Sequence, residues 1–361
     1  MEKIADVMSV SGGKDSAAMW IYAVKELGIK VIPVFADTGN EHPSTYEYLD
    51  YLERELGPIR RVVPDFTKQI AKKREYVINH WPTKLQKDIP GRWVSVEPEF
   101  EGSSEEDLTL PPSIPPIDIY KTYKGVSGWI WEPTVKGKSS EEAEAIVSRA
   151  LEHLHPTGIP FLDLCIWKGR FPSTKARFCT EWLKILPIAE EVYFPLLEDG
   201  YHIVSWQGVR ASESLARAKL PEREQTPEGY EVYRPLLRWS AKDVFDMHKK
   251  HGIEPNPLYS QGMSRVGCMP CINVNKGELF EIARRFPAEI ERISEWERIV
   301  AGASKRGAAS FLPALLDDDK NDIWDWVEWS KTSYGGHTYD LLKMIELDDF
   351  PSCSSVYGLC E

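Results

Sequence analysis

Three groups of residues carry side chains able to do chemistry. The first is Ser11-Gly12-Gly13-Lys14-Asp15-Ser16. Two adjacent glycines let the backbone turn its N–H groups inward, and a helix starting there adds partial positive charge where an anion would lie. Ser11 and Ser16 supply hydroxyls and Lys14 a cation, while Asp15 serves either as a helix cap or as a ligand for Mg2+. The spacing is not the G-x-x-x-x-G-K of a Walker A loop. An ordinary Gly-rich turn is the plain alternative; the whole hexapeptide between a strand and a helix favours phosphate, with Lys14 and Asp15 as candidate catalytic groups. The second group lies in Trp206 to Arg217, where Arg210, Glu213 and Arg217 are close together. Arginine forks onto phosphate or sulfate oxygens, although a solvated helix start has the same composition.

The third group is the cysteines. Cys268-Met269-Pro270-Cys271 is a C-x-x-C pair, whose spacing lets two thiolates reach one metal or cluster. Cys179 sits among cations in Lys175 to Lys184, and Cys165 is the nearest further thiol. A cluster, a zinc ion drawing on His248 or His251, and bare thiols all remain open at this point. Cys353 and Cys360 stand close to the C-terminus, and a cysteine one residue from the end, as Cys360 is, can swing toward an active site as a nucleophile.

These residues need a scaffold. With 361 residues and 42% hydrophobic content the chain can bury a core of its own. Its net charge of −12 argues against a broad nonspecific nucleic-acid surface and suits small substrates, while Lys72-Lys73-Arg74 keeps local phosphate contact open. The N-terminus lacks a secretion-signal pattern, no run is long enough to span a bilayer, and six cysteines are too few for a disulfide scaffold; the expected setting is the cytoplasm.

Strand and helix alternate from the start. Ile4 to Val10, Lys30 to Phe35 and Ile59 to Val63 read as strands, with helices over Ala17 to Leu27 and Pro43 to Leu56. The pattern breaks between Trp81 and Pro160, where Pro111-Pro112-Ser113-Ile114-Pro115-Pro116 and an acidic run mark an insertion. Inside it, Ser139 and Glu142 form a capping box for a helix to about Leu154. Alternation resumes with a helix at Lys175 to Val192, a strand at His202 to Trp206 and a helix at Ala241 to His251. Leu279 to Arg285 and Ala288 to Val300 read as helices. The expected architecture is therefore α/β: a doubly wound, mostly parallel sheet with helices on both faces. Residues 1–80 and 161–275 form its nucleotide-binding domain, 81–160 the insertion, and 276–361 a helical region with a cysteine-containing tail.

Ser11 to Ser16 resembles the S-G-G-x-D-S pyrophosphate loop of the adenine-nucleotide α-hydrolase superfamily. Phe35 to Glu41, with Asp37-Thr38-Gly39 at a strand end, is similar to the phosphoadenosine-phosphosulfate (PAPS) reductase branch, as are Arg210-x-x-Glu213-Ser214-x-x-Arg217, Tyr233 to Leu236, Trp239 and Asn256 to Tyr259. The resemblance runs discontinuously from about Val7 to Asn273. It implies an adenine nucleotide, ATP or PAPS/APS, held by Ser11, Gly12, Gly13, Lys14, Asp15, Ser16, Asp37, Thr38, Gly39, Arg210, Glu213 and Arg217, with Mg2+ assisting.

The segment around Cys179 resembles the first cysteine segment of sulfonucleotide reductases bearing a [4Fe–4S] cluster. That implies Cys179, Cys268 and Cys271 as ligands, with Cys165 as the nearest replacement for the second of two adjacent cysteines found there. Two activities follow. One cleaves ATP to AMP and pyrophosphate, activating an acceptor for sulfur transfer, as in tRNA thiolases and DNA-phosphorothioation enzymes. The other is sulfonucleotide reduction, with Cys360 or Cys353 attacking sulfur and a thioredoxin-like dithiol completing turnover. PAPS reductases commonly carry an altered loop, and their tail places cysteine before a Gly-Leu pair, whereas Cys360 follows Gly358-Leu359. A sulfate adenylyltransferase-type subunit and a non-catalytic nucleotide-binding protein are further alternatives. Expected partners are the nucleotide and a thioredoxin-like reductant or sulfur donor protein, with a nucleic-acid acceptor open and no membrane.

Overall fold

The computed structural model describes residues 3–96, 128–313 and 322–332. Two compact units emerge, one from residues 1–71 and 152–361 and the other from 72–151. The expected insertion at 81–160 is thus displaced toward the N-terminus. Helix α3 (Thr67–Leu85), which the sequence reading left without an element, runs across the first boundary. Cys353 and Cys360 lie outside the described residues.

The larger unit is built on a six-stranded sheet. Its strands are β1 (Lys3–Ser9), β2 (Val31–Ala36), β3 (Arg60–Val62), β6 (Tyr201–Trp206), β7 (Arg223–Gln225) and β8 (Glu231–Tyr233), in the order β3-β2-β1-β6-β8-β7. All pairings are parallel except β7 with β8. The chain winds outward from β1 to β3, then crosses back to place β6 on the other side of β1. This reversal makes the β1/β6 crevice the topological switch point, where ligands of open α/β sheets bind at the carboxyl ends of strands.

Alternation along the strands covers both faces. Met8 and Phe35 point to a core shared with Ala17, Trp20 and Ile21 of α1 (Lys14–Ile21) and with Leu49 and Leu52 of α2 (Pro43–Leu56). Val7, Val34, Val62 and Ile203 point the other way, onto Val192 and Tyr193 of a helical run at 178–198. Each such fully buried side chain contributes about 1.5–3 kcal/mol. This is the expected doubly wound layer order. The helical run carries π-type turns and extends beyond the expected Val192 to Glu198.

Helix boundaries follow local chemistry. His42 accepts from the Ser44 N–H and Pro43 takes the first helical position of α2, where the missing N–H costs nothing. Ser240 and Asp243 form a reciprocal capping box at the helix Ala241–His251. The short β7–β8 pair and the helix Pro160–Lys168 were not anticipated, because three-residue strands and an uninterrupted apolar stretch carry no distinctive period. Helices Lys276–Arg285, Pro287–Ala303 and Ile323–Ser330 complete the described part of this unit.

The smaller unit holds an antiparallel pair, β4 (Arg92–Val96) with β5 (Gly128–Glu132), and the helix Ser140–His153. Its capping box forms as expected: Glu142 accepts from the Ser139 N–H at 2.8 Å while Ser139 Oγ accepts from the Glu142 N–H at 3.1 Å. Among the described residues no helix is long and apolar enough to cross a membrane.

Candidate nucleotide site

At the switch point the chain leaves β1 through Val10 to Gly13 and enters α1. Gly12 has φ +71°, and a Cβ there would stand 2.8 Å from Thr45 Cγ2, so the position needs glycine for both conformation and space. The helix cap is Gly13, which has no side chain to satisfy the first turn. No capping side chain therefore stands between the start of α1 and the crevice. Ser16 Oγ accepts from the Ser11 N–H at 3.2 Å and donates to the Gly13 carbonyl at 3.0 Å, tying the loop to itself.

Other segments hold the loop from outside. Asn256 Nδ2 donates to the Gly12 carbonyl at 3.1 Å, and the Lys14 N–H donates to Tyr259 Oη at 2.9 Å. Buried His248 places Nε2 3.2 Å from the Lys14 carbonyl, and desolvation pushes its pKa below the ordinary histidine range. Across the crevice, Gly208 packs so closely that a Cβ would meet the Asp15 carbonyl carbon at 3.3 Å. That contact delivers Arg210, which is 6% exposed, to Asp15: Nε donates to Oδ1. The same carboxylate stands 3.3 Å from Lys14 Nζ. Asp15 thus faces two cations and is not the helix cap. Glu213 pairs with both Arg210 and Arg217.

These groups line a cavity of about 1070 Å3 together with Val34, Phe35 and Ala36 at the end of β2. Every predicted residue of the loop except Gly12 lines it, as do Arg210, Glu213 and Arg217. Asp37, Thr38 and Gly39 do not. Asp37 accepts from the Gly39 N–H at 3.0 Å and from Tyr46 Oη at 2.7 Å, and Thr38 Oγ1 donates to Glu41 at 2.7 Å. The turn is consumed in presenting Glu41, which reaches the cavity in its place. Burial raises the Glu41 carboxyl above the usual range against the opposing pull of Lys184.

The cysteine pair is pinned onto this same turn. Glu41 and Cys268 form a β-bridge, the Met269 N–H donates to the Asn40 carbonyl at 2.7 Å, and Asn40 Nδ2 donates to the Pro270 carbonyl at 3.1 Å. Cys268 Sγ lies 3.8 Å from Glu41 Oε1, and burial followed by that carboxylate pushes its thiol up to about 12. Cys179 is raised by burial and then by Cys271; Cys165 is raised by complete burial and then by Cys179. Lys184 is the common neighbour: its ammonium is held charged first by Cys268, and also by Glu41, Cys271 and Cys179. A smaller chamber of about 200 Å3, lined by Cys268, Cys271, Lys184 and Glu278 among others, adjoins the large cavity through their shared residues Ser11, Lys184, Arg265, Val266 and Gly267. Among the described residues, no three His, Cys, Asp or Glu side chains are placed to hold a metal ion.

Lys184, Glu41, Asn256 and Tyr259 were not singled out by type. Tyr259 and Asn256 carried a signal, the Asn-Pro-Leu-Tyr turn; Lys184 stands five residues after Cys179 and signals only once the fold turns it toward Cys268.

The sequence matches the family model of the phosphoadenosine phosphosulfate reductase domain over residues 5–98 and 162–274, more than half of the chain. A relative 44% identical over the whole chain and 98% of its own length is an uncharacterized 37.8 kDa protein of Escherichia phage 186. An adenosine 5′-phosphosulfate reductase of Allochromatium vinosum is 42% identical over 65 residues, covering 18% of this chain and 25% of that enzyme. The solved phosphoadenylyl-sulfate reductase of Candida auris, in a phosphate complex, aligns over 74% of this chain and 82% of its own at 14% identity and a TM-score of 0.37.

Proposed function

This chain belongs to the phosphoadenosine phosphosulfate reductase domain family, and from that premise we propose that it cleaves ATP to AMP and pyrophosphate, activating an acceptor oxygen for replacement by sulfur. The observation that carries the reading is the intact Ser11 to Ser16 loop, which lines the cavity at the start of α1 beside Lys14 and Arg210 with no N-cap side chain over it. The acceptor oxygen attacks the α-phosphorus, the bond from that phosphorus to the bridging oxygen breaks, and pyrophosphate leaves with the electron pair. Loop amides and Lys14 stabilise the charge growing on pyrophosphate, and Arg210, fixed by Asp15, holds a second phosphate oxygen. A sulfur nucleophile then forms its bond to the adenylated atom, and AMP leaves with the oxygen.

Mg2+ fits as a companion of the nucleotide. Here such an ion would be held largely by phosphates, because Asp15, the loop's carboxylate, is already paired with Lys14 and Arg210. Thiolate donors beside the Lys184 ammonium suit an anionic [4Fe–4S] cluster in charge, but Cys179, Cys268 and Cys271 are not gathered into a metal-holding group in this structure. A zinc dication would face that ammonium. Were a cluster bound, these three cysteines would have to draw together around it with Cys165 as the candidate fourth, and it would supply electron transfer or a sulfur-holding iron.

The second reading is sulfonucleotide reduction. Arg210 and Arg217, both lining the cavity, support it, since they suit sulfate as well as phosphate. Anaerobically purified protein, analysed for iron and sulfide, is assayed for pyrophosphate release from ATP and sulfite release from PAPS and APS. Pyrophosphate without sulfite is the expected result; sulfite without ATP use would sink the first reading.

A further inference from the structure

Lys14 is the cation of the phosphate loop, and its side chain is 4% exposed. A buried ammonium keeps its charge when neighbours offset the loss of water, and two of its neighbours do so in different ways. Asp15 Oδ2 stands 3.3 Å from Nζ, while the other oxygen of that carboxylate accepts from buried Arg210. The Tyr259 ring lies beneath the same ammonium, with 5.1 Å from Nζ to the ring centroid. A carboxylate takes the ammonium's hydrogens and so competes with phosphate for them; a ring face attracts the charge through its quadrupole and competes far less.

Tyr259 also holds the other end of this lysine. Its Oη accepts from the Lys14 N–H at 2.9 Å, across 245 residues of chain. The tyrosine is 1% exposed, packs edge-on against Phe245 with centroids 5.9 Å apart, and ends a helical turn, Pro257–Tyr259, that Asn256 caps. The same Asn256 donates to the Gly12 carbonyl, so the turn that carries the ring is itself tied to the loop. Lys14 and Tyr259 both line the nucleotide cavity. We propose that Tyr259 is a positioning residue of this site: its hydroxyl fixes the backbone of Lys14, and its ring holds the ammonium against full capture by Asp15, leaving donors for the phosphates of the nucleotide.

The inference rests on the ATP reading of the site and is separable from it. Binding of ATP and of AMP, which lacks the two phosphates of the leaving pyrophosphate, is measured by calorimetry on the full chain. Tyr259→Phe keeps the ring and loses the hydroxyl; the same variant carrying a ring-trifluorinated phenylalanine keeps nearly the same shape and loses the negative face. From the first ring to the second, ATP affinity is expected to fall about fivefold and AMP affinity to stay unchanged. In a Lys14→Met background, where no charge faces the ring, the two rings should bind ATP alike. Circular dichroism checks that all variants fold. Equal ATP affinity of the two rings with Lys14 present, a matching loss for AMP, or the same loss in Lys14→Met would overturn the positioning role alone. A wild type that binds no ATP would overturn the proposed function and the positioning role with it.

Discussion

The two ends of the cavity are built in opposite ways. The phosphate end is one hexapeptide between β1 and α1, and its chemistry is backbone N–H groups plus Lys14. The cysteine end is assembled from distant segments: Glu41 after β2, Cys179 and Lys184 on the helical run, Cys268 and Cys271 on a loop far along the chain. The first carries its donors in one short stretch of sequence, which distant residues such as Asn256 and Tyr259 brace. The second has no chemistry until the sheet brings the segments together, and the Lys184 ammonium then stands between them. Damage at the phosphate end should therefore abolish function at one stroke, whereas damage at the cysteine end should loosen an assembly by degrees.

The sharpest test is Asp15→Asn, which keeps shape but removes the charge facing Arg210 and Lys14. Pyrophosphate release should fall about 10³-fold with the far-UV circular dichroism unchanged; full activity would refute the placement of the site. Gly12→Ala should follow, since it forces a side chain into a left-handed conformation against Thr45. A loss of about 2–4 kcal/mol in urea denaturation is expected.

At the other end, Glu41→Gln removes the carboxylate that gathers the Thr38 hydroxyl and amide and the Asn40 amide. The C-x-x-C loop should open more often, and iodoacetamide labelling of Cys268 in metal-free protein should rise about tenfold, read by mass spectrometry. Unchanged labelling would deny that Glu41 holds this loop. Tyr259→Phe deletes the acceptor for the Lys14 N–H and should cost about 1 kcal/mol of stability.

Glu297 offers a control remote from both ends. It is 5% exposed, accepts from the Phe311 and Ile323 N–H groups at 2.7 and 2.9 Å, and burial pushes its carboxyl up to about 7. The folded chain then keeps a proton that the unfolded chain releases, so stability should fall as pH rises from about 4.5 toward 7, by at most about 3 kcal/mol. Denaturation of Glu297→Gln across that range should lack this slope.

The sequence by itself determined the α/β class, the Gly-rich turn between β1 and α1, the capping box at Ser139 and most strand and helix positions. These depend on periodicity and on residues within a few positions of each other. It also marked Arg210, Glu213 and Arg217, which line the cavity. It did not determine that the Asp37-Thr38-Gly39 turn would spend its hydrogen bonds on Tyr46 and Glu41, leaving Glu41 to reach the cavity. Nor did it show Lys184 among the cysteines. Those features rest on parallel pairing of β1 with both β2 and β6. That pairing juxtaposes segments more than a hundred residues apart, and burial there decides which polar atoms are partnered. Such long-range neighbours leave no trace in local spacing, so only the tertiary structure could assign them.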